Sequence, residues 1–299
     1  MKKRIRAFFK TLIALIILPS PSVMIVSGPF IEPVIVNHTC TNINQVPQRW
    51  IRKAKSEFSI YYAHTSHGSQ IISGMEVLMA KSDLYSFNRK GKKGALSFYN
   101  QKRWGDLGNP NRTEWYYRTR KLLDRRKKDR NVIMWSWCGQ VSHASEKDIN
   151  IYLDLMSKLE KDYPNIIFIC MTGHLDGTGE NGNLNIRNNQ IREYCRKNNK
   201  ILFDFADIES YDPNGNYFLD KAADSECNYL DNGVQKNWAE EWCNSHPGEC
   251  SSCFCAHSHS LSCELKGRAF WWMMAELAGW SSSESDNNGV AINAKTMIK

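Results

Sequence analysis

Four short, continuously apolar runs recur along the chain, separated by segments with helical spacing. The runs are residues 58–63 (FSIYYA), 131–137 (NVIMWSW), 166–172 (IIFICMT) and 201–205 (ILFDF). Each has strand length and is rich in aliphatic and aromatic side chains, the pattern of a buried strand. Helices are expected over 71–79, 115–126, 147–161 and 188–198, with a last one over 266–278 that carries Phe270, Trp271 and Trp272. Strands alternating with helices of this length predict βαβ units with right-handed crossovers and a parallel sheet. The fold class is therefore α/β, a parallel sheet flanked by helices. Residues 28–50 read as an irregular lead-in and 80–115 as loop with little regular structure. The stretch after Asp212 is rich in turns and cysteine. No repeat or linker divides the chain, so one α/β domain over 28–280 and a polar tail over 281–299 are expected.

The first 27 residues read as a leader or anchor rather than as part of the fold. Lys2, Lys3, Arg4, Arg6 and Lys10 precede an apolar stretch broken by Pro19 and Pro21, too short for a spanning helix. A secretory signal peptide is the expectation and a retained N-terminal anchor the alternative, which places the protein outside the cytoplasm. Membrane attachment is expected only through this segment. Without the leader the formal charge of +8 falls to about +3. A basic band remains at 118–130 (RTRKLLDRRKKDR), which reads as the solvated face of a helix. No nucleic-acid module is recognisable.

Ten cysteines suit export, and six fall late: Cys227, Cys243, Cys250, Cys253, Cys255 and Cys263. Disulfides are expected among them, with pairing left open. A zinc cluster of Cys250, Cys253, Cys255 and His257 is the competing reading. Cys138, Cys170 and Cys195 read as small core residues.

Open parallel sheets bind ligands at the carboxyl ends of their strands. Three polar clusters stand at such ends: residues 64–70 (HTSHGSQ), 138–140 (CGQ) and 173–176 (GHLD). They are expected to meet at one rim. Ser66 sits on a strand-to-helix turn, where its hydroxyl is held clear of the sheet and helix-start N–H groups point into the same space. Gly68 lets the backbone approach closely. The plainer reading is that His64, Ser66 and His67 cap the helix. His174, with Asp176 two residues on, is a candidate substrate contact or base, and His64 and His67 are candidate substrate contacts. Several histidines on one rim also admit a metal. No ligand pattern with helical spacing supports one, so neither metal nor cofactor is expected. Asp207 is a candidate to orient a histidine. Asp212, Asn214 and Asn216 resemble a calcium loop, though a Pro-Asn-Gly turn explains them more simply.

The segment HTSHG at the end of the first run resembles the first block of the SGNH or GDSL hydrolases, in a His-x-Ser-x-Gly variant. The resemblance extends in order and spacing over roughly residues 58–280. It implies a three-layer sandwich of the SGNH or flavodoxin type. It implies Ser66 as nucleophile, Gly68, Gly108 (in the block 104–109, WGDLGN) and Gln140 as oxyanion donors, and a late histidine as base. His257 is preferred for that base over His259. The chain departs from the family in having no Gly-Asp-Ser and no third-block asparagine. It also lacks an Asp three residues before its histidine: Phe254 and Ala256 stand at those positions.

The resemblance implies an exported esterase or deacylase acting on a small-molecule or glycan ester, such as acyl groups on carbohydrate or cell-envelope material. Two alternatives are a non-catalytic carbohydrate-binding protein using Trp135, Trp137 and Trp242, and a metal-dependent hydrolase using the histidines.

Overall fold

Hydrogen bonding joins seven strands into one sheet in the order β1-β7-β6-β5-β2-β4-β3, with every neighbouring pair parallel. In this computed structural model residues 32–102, 105–125 and 130–281 are described. The expected leader, and the tail beyond Ser281, lie outside them. In chain order the elements are β1 (Val34–Val36), α1 (Gln48–Glu57), β2 (Ser59–Ala63), α2 (Ser69–Lys81), β3 (Phe87–Asn88), β4 (Leu96–Gln101), α3 (Glu114–Arg125), β5 (Val132–Trp135) and α4 (Glu146–Asp162). There follow β6 (Ile167–Met171), α5 (Asn183–Lys197), β7 (Ile201–Phe203), α6 (Phe205–Glu209), the hairpin β8 (Asn228–Asp231) and β9 (Val234–Asn237), α7 (Trp238–Ser245) and α8 (Ser260–Leu277).

The four apolar runs form the central strands β2, β5, β6 and β7. Two expectations need correction. The lead-in contains β1 and the start of α1, and the supposed loop over 80–115 contains β3 and β4. Strand β1 is only three residues long, too short to show a period. Helix α1 (QRWIRKAKSE) buries only Ile51 and Ala54 in a charged sequence. Strand β4 (LSFYNQ) alternates apolar Leu96 and Phe98 with polar residues, so no continuous run announces it. Helix α8 starts at Ser260 rather than 266, because the His259 side chain accepts the Leu261 N–H and caps it.

Helices α1, α2 and α8 pack together on one side of the sheet and α3, α4 and α5 on the other. The closest helix contact is α2 on α8. A methyl group at Gly74 would fall on the Cys263 carbonyl, and one at Gly267 on the Gly74 backbone. Glycine at both positions lets the two backbones touch. Helix α8 thereby buries Phe270, Trp271 and Trp272 against the core.

Strand β2 stands beside β5, yet the chain leaves β2 for α2 on one face and β5 for α4 on the other. Adjacent strands that send their helices to opposite faces leave a crevice beyond their carboxyl ends, the switch point at which open sheets bind ligands. The register Ala63↔Trp135 and the Ser136 N–H to Ala63 carbonyl bond (3.0 Å) bring the ends of β2 and β5 level.

Candidate functional site

At that crevice the ends of β2, β5 and β6 place Ser66, His67, Cys138 and His174 together. Residues 65–68 form the turn into α2, closed by the Ser69 N–H to Ser66 carbonyl (3.0 Å) and Gln70 N–H to His67 carbonyl (3.1 Å) bonds. A side chain at Gly68 would collide with Ser136, His64 and the Tyr62 hydroxyl, so glycine alone fits there. As at any helix start, the first N–H groups lack helical acceptors. Among the described residues, those of Ser66, His67 and Gly68 bond to no protein acceptor.

Cys138 is the hub of the cluster. Its sulfur lies 3.2 Å from His67 Nδ1 and 3.8 Å from Ser66 Oγ. His174, from the third strand, brings a ring nitrogen within 4.8 Å of the same sulfur, and its Nε2 makes no hydrogen bond. The His174 contact, then the His67 contact, bring the thiol pKa down to about 4, against the opposing effect of burial. Burial disfavours charging His174, but the Cys138 thiolate and the Glu209 carboxylate outweigh it and raise its pKa. Cys138 is therefore no core residue as expected from the sequence: it is half-buried, just past the end of β5. Cys170 and Cys195 are buried as expected.

His67 and His174 stack with ring centroids 3.5 Å apart and planes 4° from parallel. His257 also stacks on His67, at 4.7 Å. Its own backbone has φ 54°, unusual for a side-chain-bearing residue. Among the described residues, no imidazole nitrogen is hydrogen-bonded to the Ser66 hydroxyl.

Other candidates occupy structural positions. His64 is buried beside Tyr62 and held by the Thr65 carbonyl (2.7 Å) and the Asn100 side chain (2.6 Å), and burial lowers its pKa. His259 caps α8. Asp176 accepts from the backbone and hydroxyl of Thr178. Gly108 and Gln140 do come together at the rim. Asp106 accepts both the Gly108 N–H (2.9 Å) and the Gln140 side-chain amide (3.1 Å), while Gln140 accepts the Cys138 N–H (2.9 Å). The bond from the Leu107 N–H to the Ser136 carbonyl pins that loop to β5. Trp104 lies outside the described residues. Asp207 orients a histidine, but it is His38, bonded through Nδ1 at 2.6 Å beyond the β1 edge.

A buried ion pair supports the site from behind. Lys266 Nζ, on α8, lies 2.9 Å from Glu209 and also donates to Gln70 (2.5 Å) and Ser262 (2.8 Å). Glu209 accepts the Leu175 N–H (2.7 Å), and Gln70 donates to the Ala256 carbonyl (2.7 Å). One lysine thus ties the His174 loop to the His257 loop. Nothing in the sequence pattern gave Lys266 or Glu209 a role.

Four of the six late cysteines pair, as Cys243–Cys250 and Cys255–Cys263, with Cα–Cα separations of 5.8 and 6.1 Å, while Cys227 and Cys253 stay free. This removes the zinc cluster read from Cys250, Cys253, Cys255 and His257. The second bridge closes the loop bearing His257 and His259. The Asp212 carboxylate accepts from the backbone of Asn214 and Asn216, which makes that segment a turn rather than a calcium loop. Trp135, Trp137 and Trp242 are buried, so no sugar can stack on them. Arg118 and Arg120 of the basic band pair with Glu114 and Asp162. No described helix is long and apolar enough to cross a membrane.

No protein-family model, curated protein or solved structure matches the chain.

Proposed function

We propose that the protein is an exported hydrolase of acyl substrates, with Cys138 as nucleophile and its imidazole neighbours as acid and base. The observation that carries this reading is the Cys138 sulfur 3.2 Å from His67 Nδ1, with a His174 ring nitrogen within 4.8 Å of it. Nucleophile and base within reach of each other are the signature of covalent acyl transfer. The rim position accords with the resemblance to SGNH hydrolases, and the two disulfides accord with export.

The thiolate attacks the ester carbonyl carbon, and the carbonyl π pair moves onto oxygen. The free N–H groups at the start of α2 face that developing charge. The tetrahedral species collapses, the C–O bond breaks, and an imidazolium gives its proton to the departing alkoxide. A water, deprotonated by the now neutral imidazole, attacks the thioester. The acid leaves and the thiolate is restored. Ser66, 3.8 Å from the sulfur, is placed to hydrogen-bond the thiolate or the carbonyl oxygen.

A specific observation keeps Ser66 as the second reading for the nucleophile: it stands on the same strand-to-helix turn as the family serine. Incubation with a p-nitrophenyl ester, followed by peptide mass mapping, separates the two. An acyl group on Cys138 that disappears in Cys138→Ala supports the thiol reading. An acyl group on Ser66 supports the serine reading. No adduct and no turnover reject the hydrolase.

A further inference from the structure

The same cluster has the donor set of a metal site. A ring nitrogen of His67, the Sγ of Cys138 and a ring nitrogen of His174 all lie within 4.8 Å of one another. Ligands around a tetrahedral zinc ion, with bonds of about 2.0–2.3 Å, sit roughly 3.5 Å apart. The 3.2 Å separation of His67 Nδ1 and Cys138 Sγ is close to that spacing.

His174 supplies a second, independent observation. Its Nδ1 donates to the Leu175 carbonyl at 2.8 Å, which leaves Nε2 of the neutral ring with a bare lone pair. That Nε2 is buried and has no hydrogen-bond partner. A ring nitrogen fixed through a backbone carbonyl, with the other nitrogen left free of protein partners, is the outer-shell arrangement of metal-binding histidines. The three ligands come from the ends of three adjacent strands, so the sheet itself holds the spacing.

We infer that His67, Cys138 and His174 bind one borderline-soft divalent cation of the Zn²⁺ class, and that the bound ion silences the Cys138 nucleophile. One thiolate with two imidazoles selects such an ion over Mg²⁺ or Ca²⁺, which take oxygen ligands. The binding claim stands on the cluster alone, whereas the silencing claim rests on the acyl-hydrolase reading. A metal-ligated thiolate keeps its electron pair in the metal bond. It neither attacks a carbonyl nor oxidises readily, which suits a free thiol in an oxidising compartment.

The test uses the full chain, purified and freed of metal with a chelator, and titrated with Co²⁺ and then Zn²⁺. Expected are one Co²⁺ per chain, a sulfur-to-cobalt charge-transfer band, tetrahedral visible bands, and displacement of all three by Zn²⁺. Cys138→Ser should lose the charge-transfer band, and His174→Ala should bind at least tenfold more weakly. Zn²⁺ should raise the wild-type melting temperature and not that of Cys138→Ser, with circular dichroism confirming that both variants fold. Absence of the band, or its survival in Cys138→Ser, overturns the metal site. Ester hydrolysis by metal-free protein that stops on adding Zn²⁺ supports both claims. Turnover only in the metal-loaded protein overturns the silencing claim and the thiol mechanism, while the site itself stands. Acyl-Cys138 formation in a protein that binds no Co²⁺ overturns the metal inference alone.

Discussion

His67 and His174 lie face to face at 3.5 Å, His67 with Nδ1 3.2 Å from the sulfur of Cys138 and His174 with a ring nitrogen within 4.8 Å of it. They come from the ends of β2 and β6, with β5 and its cysteine between.

Cys138→Ala should lower kcat for ester hydrolysis by about 10³-fold or more, as loss of a nucleophile does. Ser66→Ala should cost on the order of 10–10²-fold, less than removal of a dedicated oxyanion donor. Steady-state kinetics on a p-nitrophenyl ester check both. A larger loss in Ser66→Ala than in Cys138→Ala would reverse the assignment.

Alkylation of Cys138 by iodoacetamide in the metal-free protein should persist far into acid. The thiol pKa is brought down to about 4, so the reactive thiolate is present above that value and lost as pH falls through it. The facing groups are His67 and Ser66 from the start of α2 and His174 from β6, with Glu209 behind His174. His174→Ala removes the largest cause and should move the midpoint up, toward the ordinary cysteine value of about 8.5. Mass spectrometry of the labelled peptide across a pH series reads the midpoint.

Lys266→Met leaves the Glu209 carboxylate buried without its cation and should destabilise the fold by about 3–5 kcal/mol. Adding Glu209→Gln to it removes the stranded charge while keeping an acceptor for the Leu175 N–H, and should recover part of that loss. Urea unfolding of the single and double variants measures the difference.

Gly74→Ala should destabilise, although alanine is the better helix former by about 1 kcal/mol. The added methyl meets the Cys263 backbone carbonyl, which cannot rotate away, so α2 and α8 must separate. Overpacking of this kind costs about 1–3 kcal/mol or more, and thermal unfolding should show a lower midpoint.

Acid should weaken the fold partly through Glu264. Burial alone would raise its pKa, but Lys81 at 2.7 Å and Arg268 at 2.7 Å hold it below the ordinary carboxylate value. A depressed folded-state pKa contributes stability that is complete above the unfolded value of about 4.3 and is lost as pH falls through the folded value. Glu264→Gln should therefore be less stable than the wild type at pH 7, and the gap should narrow on acidification. Denaturant titrations at several pH values test this.

Much of this architecture is legible in the sequence because it depends on local pattern. A continuously apolar run of five to seven residues marks a strand covered on both faces, and β2, β5, β6 and β7 are such strands. The elements that escape notice lack that signal. Strand β4 hides its apolar residues in an alternation, β1 is three residues long, and α1 buries only two of its side chains. For the site, the clusters at 64–70, 138–140 and 173–176 announce themselves by standing directly after strands. Cys138 does not, because a lone cysteine after an apolar run has the sequence of a core residue.

The sequence by itself determined that the sheet is parallel and that three polar segments meet at its carboxyl edge, because strand direction and the side on which the chain leaves follow from the order of strands and helices. Tertiary structure decided the partners. The strand order put β5 between β2 and β6 and so set Cys138 between His67 and His174. It gave Asp207 to His38 and Asp106 to Gly108 and Gln140, and it joined Cys255 to Cys263. Those choices depend on lateral neighbours far apart in the chain, and a one-dimensional pattern carries no term for which strand lies beside which.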